Sequence, residues 1–193
     1  MFSAKKSAIQ LSRPYAVAAD FCRIFESDMD RLYLLAYLLT ADKAMAEECF
    51  VRGLEDSTRS NRVFRDWAES WARRTVIHNA IQMVRPRPSD ASARPSQAND
   101  APAPIAAVLG LPAFERFVFV MSMLEHHSLQ ESSLLLGCSR EEVTVARSRA
   151  LQQLERTAEP IHEAERISVV EPASGRERGA ALAMAAVHLA ASA

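Results

Sequence analysis

The sequence has few of the residues that build sheets, disulfide frameworks or tight turns. Only 5 of the 193 residues are glycine and 3 are cysteine. Runs of β-branched and aromatic residues are missing, while apolar residues recur at spacings of three and four, which favours helices throughout. The cysteines, Cys22, Cys49 and Cys138, are odd in number and lie far apart among apolar neighbours. We therefore expect reduced core thiols, not a set of disulfides.

The sequence also lacks an excess of either charge. It has 23 lysines and arginines and 24 aspartates and glutamates, for a net charge of −1. A nucleic acid would have to be bound by a local patch, because the whole molecule attracts no polyanion. The apolar stretch at residues 32–39 is far shorter than the ~20 residues of a membrane span. The start, Met-Phe-Ser-Ala-Lys-Lys, does not resemble a signal peptide. These features predict a cytoplasmic protein that makes no membrane contact.

Residues arranged for catalysis are equally scarce. There is no glycine-rich phosphate loop, Cys-x-x-Cys, His-Glu-x-x-His or serine in a nucleophile elbow. His126 and His127 are adjacent and have no third ligand at a useful spacing, which argues against a metal site. We therefore expect a protein that is not an enzyme and uses no cofactor or metal.

The apolar pattern predicts three helices in the first half of the chain. One long helix begins near Tyr15 and continues to residue 39, and a second covers residues 43–54, with Asp42 as its N-cap and Gly53 as an exit signal. Residues 55–62 are polar and aperiodic and are predicted to form a loop. A third helix begins near Phe64 and ends at residues 85–88, where two prolines prevent its continuation.

The prolines divide the chain, because five of the nine lie within residues 86–104. Such a composition is typical of an extended linker. The sequence thus predicts an all-α protein of two small helical domains at residues 15–87 and 105–157. Residues 88–104 would be the linker, and residues 158–193 a tail without an assigned role.

Residues 128–154 show the spacing of a helix-turn-helix motif. Ser128 with Glu131, and Ser139 with Glu142, each fit a capping box at a helix start, and Gly137 lies between them at the turn. On the second helix an apolar stripe is predicted to face inward, and Thr144, Ser148 and Arg149 lie outside it. Since residues 139–154 carry a net charge of only +1, we expect weak DNA binding by this helix alone.

These residues resemble the promoter-binding C-terminal domain of extracytoplasmic-function (ECF) sigma factors. The similarity runs through Leu-Pro-Ala-Phe-Glu-Arg-Phe-Val-Phe at residues 111–119, Leu-Gly-Cys-Ser at residues 136–139, and Arg149-Ala150. In the first half, Asp42, Ala46-Glu47-Glu48, Phe64, Trp67 and Ala72-Arg73 are similar to the other sigma domain. The resemblance covers about residues 15–157.

The resemblance implies a transcription initiation subunit that binds core RNA polymerase and promoter DNA, with an anti-sigma factor as a further candidate partner. It implies that residues 55–62 and the start of the Trp67 helix capture the opened minus-ten element, and that the helix after Ser139 reads the minus-thirty-five element. The residues matched to polymerase binding are Glu47, Glu48 and Phe50. The residues matched to DNA binding are Arg73, Arg74, Asn79, Arg140, Thr144, Ser148 and Arg149.

Several positions depart from the family pattern. Val51-Arg52 stands where Gln-Glu is common, which replaces an acidic contact with polymerase by a basic residue, and Thr144 occupies an often basic position. These departures favour an alternative function, in which a sigma-like protein binds an anti-sigma factor or another regulator without promoter activity. A helical repressor that binds DNA without polymerase is a third and weaker alternative. Trp67 either stacks on a promoter base or, as we expect more often for such a residue, packs with Trp71 in the core.

Overall fold

The protein is predominantly helical, as a computed structural model that describes residues 14–59, 62–88 and 101–166 shows. These ranges contain no strand, only one isolated antiparallel bridge between Tyr15 and Phe64. The all-α prediction is therefore confirmed. The described α-helices are α1 (Ala18–Ser27), α2 (Met29–Thr40), α3 (Lys43–Arg59), α4 (Ala68–Val84), α5 (Ala103–Leu109), α6 (Ala113–Phe119), α7 (Leu129–Leu136) and α8 (Arg140–Arg166).

The first predicted helix is divided into α1 and α2 at Asp28. This residue has φ −108° and ψ 22°, outside the helical region. Helical hydrogen bonds nevertheless continue across the break: the Asp28 N–H donates to the Ile24 carbonyl at 2.9 Å, and the Leu32 N–H donates to the Asp28 carbonyl at 2.9 Å. The apolar spacing continues through the break, and for that reason the sequence pattern alone did not reveal it.

Helix α3 begins as predicted but is longer than expected. The Met45 N–H donates to the Asp42 Oδ1 at 2.8 Å, which confirms Asp42 as the N-cap. The predicted loop is wrong for residues 55–59, which form the last turn of α3, while residues 60–61 lie outside the described residues. Ser57 is buried in this turn, where its hydroxyl lies 2.8 Å from the Thr75 hydroxyl of α4.

Gly53 lies inside α3 and does not end it, contrary to the prediction. A Cβ added at this position would come 2.9 Å from the Cγ2 of Val76 on α4. The glycine therefore permits the close packing of α3 on α4.

A 3₁₀ turn, Arg65–Trp67, leads into α4, which ends as predicted before Pro86. Arg85 follows the helix in the left-handed region, with φ 51°. In the second part of the chain, a π-helical turn, Val120–Leu124, extends α6. Helix α8 continues to Arg166, beyond the predicted domain end at residue 157, and residues 167–193 lie outside the described residues.

One hydrophobic core contains residues from both predicted units, which we call the first half (residues 14–88) and the second half (residues 101–166). Helix α2 connects them, since it packs against α3 and α4 as well as α5, α6 and the π-helical turn. Leu35 and Leu39 thereby join the same buried cluster as Leu109 and Phe117. The predicted division into two domains stays a prediction, and most of the predicted linker, residues 89–100, lies outside the described residues.

The thiols are free, but only one of them is fully buried. The Cys49 thiol donates to the Val76 carbonyl at 3.3 Å, and burial raises its pKa to about 12. Cys138 is half-buried, and Cys22 is exposed, so the expectation of a core thiol is wrong for Cys22. Among the described helices, none has the length and apolarity required to cross a bilayer.

Candidate nucleic-acid interface

Three aromatic side chains form an exposed cluster, the aromatic cluster, at the start of α4. The Tyr15 and Phe64 rings stack with their centroids 5.0 Å apart, and the Trp67 ring meets Phe64 edge-on at 5.5 Å. Trp67 is 65% exposed, so the expectation that it packs in the core is wrong. Trp71, in contrast, is half-buried against the small core formed by Ala16, Phe21, Val63 and Ala68.

Backbone pairing holds the aromatic cluster in place. The Ala16 N–H donates to the Val63 carbonyl at 2.8 Å, and the Arg65 N–H donates to the Pro14 carbonyl at 3.0 Å. These two bonds flank the bridge between Tyr15 and Phe64, and so they fix the two aromatic side chains beside each other.

Asp20 of α1 reinforces the same connection. Its carboxylate is buried and accepts a hydrogen bond from the Val17 N–H at 3.0 Å and another from the Arg65 Nη2 at 2.8 Å. The bond from Val17 and then the Arg65 guanidinium lower the pKa of Asp20. The aromatic cluster therefore has a rigid support, which lowers the entropy cost of using it for binding.

Helix α4 continues from the aromatic cluster with a polar surface, the α4 stripe. Ser70, Arg74, His78 and Gln82 are all exposed and follow one another at a spacing of four, so they lie along one side of the helix. Exposed Arg85 follows at the helix end. No carboxylate of the described residues lies within ion-pair distance of Arg74 or Arg85.

The other two DNA-binding candidates of α4 lie outside this stripe. Arg73 is half-buried, and its charge acts on Glu125 of the second half. Asn79 is only 7% exposed, and its Nδ2 donates to the Asp56 Oδ2 at 2.8 Å and to the Thr75 carbonyl at 2.9 Å. The expectation that Asn79 faces DNA is therefore wrong, because its amide joins α3 to α4.

The helix-turn-helix geometry agrees with the sequence prediction at both capping boxes. The Glu131 N–H donates to the Ser128 Oγ at 3.1 Å, and the Ser128 N–H donates to the Glu131 carboxylate at 2.8 Å. Ser139 and Glu142 repeat the arrangement at the start of α8 with the same distances. In each box the hydrogen bond from the serine N–H is the main cause that lowers the pKa of the glutamate.

Gly137 makes the turn between α7 and α8. It has φ 65°, and a Cβ added to it would meet no atom within 4 Å. The position therefore needs glycine for its backbone conformation and not for close packing.

The exposed side of α8 carries the predicted reading residues, but its cations are partly neutralised. Arg140, Thr144, Ser148 and Arg149 are exposed, and the apolar stripe of Val143, Ala146, Ala150 and Leu154 is buried as predicted. The Thr144 and Ser148 hydroxyls donate to carbonyls one turn earlier.

Two carboxyl groups limit the positive charge of α8. The Arg149 Nη1 lies 3.9 Å from the Oε1 of Glu115, a buried residue of α6. Glu141 is exposed in the first turn of the helix, where it adds negative charge beside Arg140. Glu115 therefore offsets part of the charge of Arg149, while Arg140 has no ion pair in the described residues.

The predicted polymerase-binding residues on α3 differ in their solvent exposure and in their contacts. Glu47 is exposed, and Glu48 is exposed but forms an ion pair with Arg52. Phe50 is half-buried and packs edge-on against Phe25, with the ring centroids 5.2 Å apart. Val51 is 52% exposed between these groups, so the surface is more apolar than the acidic helix that the resemblance implies.

The described residues contain no group of three or more histidine, cysteine or acidic side chains that would hold a metal ion. Comparisons of this chain with protein-family models, curated proteins and solved structures find no match.

Sequence reasoning did not identify Tyr15 and Phe64 as parts of the site. Phe64 and Trp67 lie three residues apart at the start of the third predicted helix, but Phe64 has an extended backbone, with φ −61° and ψ 141°, just before the 3₁₀ turn. Tyr15 gave no signal in the sequence, because it reaches Phe64 only through a bridge between segments 49 residues apart in the chain.

Proposed function

We propose that this protein is an ECF-type sigma factor that directs core RNA polymerase to promoters and helps to hold an opened DNA strand. One observation carries the proposal: the aromatic cluster is exposed and continues into the α4 stripe, at the residues that the resemblance matches to minus-ten capture. Its mechanism is non-catalytic, and its location is the cytoplasm.

The chemistry of this surface suits a single strand better than a duplex. Aromatic rings stack on unpaired bases of any sequence, at about 1–3 kcal/mol per base. Trp67 presents most of its ring to solvent for such a contact. Arg74 and Arg85 form no ion pair with any of the described residues, so they are available for phosphates. His78 and Gln82 add hydrogen-bonding groups between the two arginines.

The second half would read the duplex upstream. The two capping boxes define the starts of α7 and α8, the glycine turn separates the two helices, and Arg140, Thr144 and Ser148 lie on the exposed side of α8. A helix can enter the major groove in this way and contact base edges. Because residues 139–154 carry a net charge of only +1, polymerase would supply most of the affinity, and residues 88–104 would connect the two DNA-binding units.

The test begins with retention of the chain by immobilised core RNA polymerase, with a known ECF sigma factor as the positive control. The retained complex is then supplied with pooled genomic fragments, and the transcript 5′ ends are sequenced. We expect new start sites that share two spaced sequence elements. Absence of retention under conditions in which the control binds would refute the proposal.

Two ion pairs, one on α3 and one between α6 and α8, favour an alternative function. The Glu48–Arg52 ion pair weakens the acidic character of the polymerase-binding helix, and Glu115 holds Arg149 on the α8 surface. A sigma-like protein that binds an anti-sigma factor or another regulator would tolerate both features. This alternative predicts partner or polymerase binding with no new transcript, whereas a repressor would give footprints without polymerase.

A further inference from the structure

A cleft of about 580 Å³ is lined by residues from both halves of the chain. The first half contributes the C-terminal end of α4 and the segment at residues 85–88. The second half contributes the glycine turn and the first turn of α8. A cleft of this volume is within the range of small-molecule sites.

Two arginines supply positive charge to the cleft. Arg85 and Arg87 are exposed and both line it, and neither forms an ion pair with any residue that the structure describes. A guanidinium binds a phosphate or carboxylate through charge-assisted hydrogen bonds, often two in parallel. Two unpaired guanidinium groups in one cleft therefore favour an anionic ligand.

The backbone restricts the positions of these two arginines. Arg85 has φ 51°, in the left-handed region where glycine is more usual after a helix, and its N–H donates to the Ile81 carbonyl at 2.8 Å. Pro86 and Pro88 have a fixed φ and also restrict the residue before each of them. A backbone that is already ordered lowers the entropy cost of binding a ligand.

A carboxylate in the same cleft does not neutralise the arginines. Glu142 lines the cleft, but its carboxylate accepts the hydrogen bond from the Ser139 N–H at 2.8 Å in the capping box of α8. It forms no ion pair with Arg85 or Arg87. The cleft thus has a positive part, at the two arginines, and a negative part, at the start of α8.

Apolar side chains complete the lining and indicate the class of ligand. Ile81 and Leu136 are half-buried and line the cleft from the first and the second half. A matching ligand has an anionic group for the arginines, a flat ring for the apolar side chains, and N–H or O–H donors for Glu142. A carboxylate has about four acceptor positions, so the capping bond leaves room for these donors. A nucleoside monophosphate has all three kinds of group.

We propose that the cleft binds a nucleoside monophosphate unit, with its phosphate at Arg85 and Arg87 and its hydroxyl or amino groups at Glu142. The unit comes from a free nucleotide or from a single DNA strand, since both carry these groups. The proposal does not rest on sigma factor activity, because the chain alone forms the cleft and no polymerase is needed.

Alkylation of the native thiols tests whether the cleft is occupied. Cys138 is half-buried and lines the cleft, whereas exposed Cys22 lies outside it, so the full chain contains its own control. The chain is treated with N-ethylmaleimide in the presence of a mixture of nucleoside 5′-monophosphates, and mass spectrometry follows the labelling of each cysteine. With ligand at about ten times its Kd, labelling of Cys138 should slow roughly tenfold, and labelling of Cys22 should not change.

Two further probes identify the source of the ligand. A short single-stranded oligonucleotide of mixed sequence replaces the monophosphates in one arm, and inorganic phosphate replaces them in another. Protection by free monophosphates supports a free nucleotide, and protection by the oligonucleotide alone supports a unit of a DNA strand. Inorganic phosphate should protect less, because it has no ring to contact Ile81 and Leu136. Equal protection by inorganic phosphate, or no protection by either nucleotide probe, would overturn the proposal.

Arg87→Gln then tests the contact with the phosphate. Arg87 is exposed and lies outside the helices, so we expect an unchanged circular dichroism spectrum. The Kd measured from the protection of Cys138 should rise roughly tenfold, as for loss of a charged hydrogen bond. Arg31→Gln removes the same charge from an exposed position of α2 outside the cleft, and should leave the Kd unchanged. The same Kd in both variants would refute binding of the phosphate at the cleft arginines.

Discussion

The surfaces of α4 and α8 are both helical and both face solvent, yet they differ in what their cations contact. On α4, Arg74 and Arg85 have no ion pair in the described residues and continue from an exposed aromatic cluster. On α8, Arg140 is likewise without an ion pair in the described residues, but Glu141 and Glu142 share its helical turn, and Arg149 lies 3.9 Å from Glu115. The first surface has the chemistry of a single-strand platform, while the second has the shape of a duplex reader with reduced charge.

The difference shows that shape and charge are separate requirements for DNA binding. The turn and caps of α8 are well formed, but counterion release from phosphates supplies most non-specific affinity and needs free cations. A chain with a net charge of −1 has no overall attraction to DNA, so individual surface cations must supply these contacts. We therefore expect changes on α4 to have larger effects on DNA binding than changes on α8.

The largest effect on DNA binding is expected from Trp67→Ala. Loss of the exposed ring should weaken binding of a fluorescent single-stranded oligonucleotide by about 1–3 kcal/mol, measured by anisotropy at low salt. Thermal stability should change by less than ~0.5 kcal/mol, because Trp67 is a surface residue. Trp67→Phe, which keeps a ring, should retain most of the affinity. Equal binding by all three proteins would remove the aromatic cluster from the site.

Asp20→Asn tests the support beneath the aromatic cluster. The change weakens the bonds to Val17 and Arg65, and we expect it to cost about 1 kcal/mol at pH 7, as for a lost helix cap. Because the folded-state pKa of Asp20 is lowered from 3.8, its contribution is complete above that pH and declines as the pH falls through the folded-state value. Urea unfolding of both proteins from pH 7 down to pH 3 measures the difference, which should narrow only below about pH 4.

Gly137→Ala distinguishes DNA binding by the α8 surface from DNA binding by the α4 stripe. A side chain at φ 65° costs about 1 kcal/mol even though the space around it is open. The change should also displace the start of α8 and so reduce duplex binding in the polymerase complex. Single-strand binding by the isolated chain should stay unchanged. A parallel loss of both activities would indicate that α4 and α8 bind DNA as one surface.

The smallest effect is expected from Glu115→Gln, which makes α8 more like α4. A partly exposed ion pair contributes about 0.2–1 kcal/mol. Its loss leaves the Arg149 guanidinium free to contact a phosphate of the duplex. Duplex affinity should rise about two- to fivefold, as measured by titration of a labelled duplex. Glu155→Gln removes the same charge from exposed α8 without touching the pair with Arg149, and serves as the control. An equal rise in both variants would mean that only net charge matters.

Much of the helical pattern followed from local physics. The boxes at Ser128 and Ser139, the left-handed turn at Gly137, the N-cap at Asp42 and the stop before Pro86 each depend on residues within four positions, and all were predicted. The errors concerned where individual helices break or end. The break at Asp28 left the apolar spacing intact, and the last turn of α3 was polar enough to be predicted as a loop although Ser57 is buried against α4.

Apolar spacing along one helix does not predict contacts between distant segments of the chain. The stacking of Tyr15 on Phe64 depends on a bridge between distant segments, and the amide of Asn79 donates to Asp56 of the neighbouring helix. Neither relation is visible in the spacing of residues along one helix. Among the predicted DNA-binding arginines, Arg74, Arg140 and Arg149 are exposed and Arg73 is half-buried, while their contacts with DNA stay a prediction. The site predicted from the sequence did not include Tyr15 and Phe64.

Caps, prolines and apolar periodicity act over a few residues, so they were enough to predict amphipathic helices, several of their ends and the glycine turn between α7 and α8. The packing of α2 against both halves, the hydrogen bond from Arg116 to the Leu39 carbonyl 77 residues away and the ion pairs among the described residues emerge only in the folded structure. Those outcomes depend on which surfaces meet when apolar area is buried, and burial is a property of the whole fold.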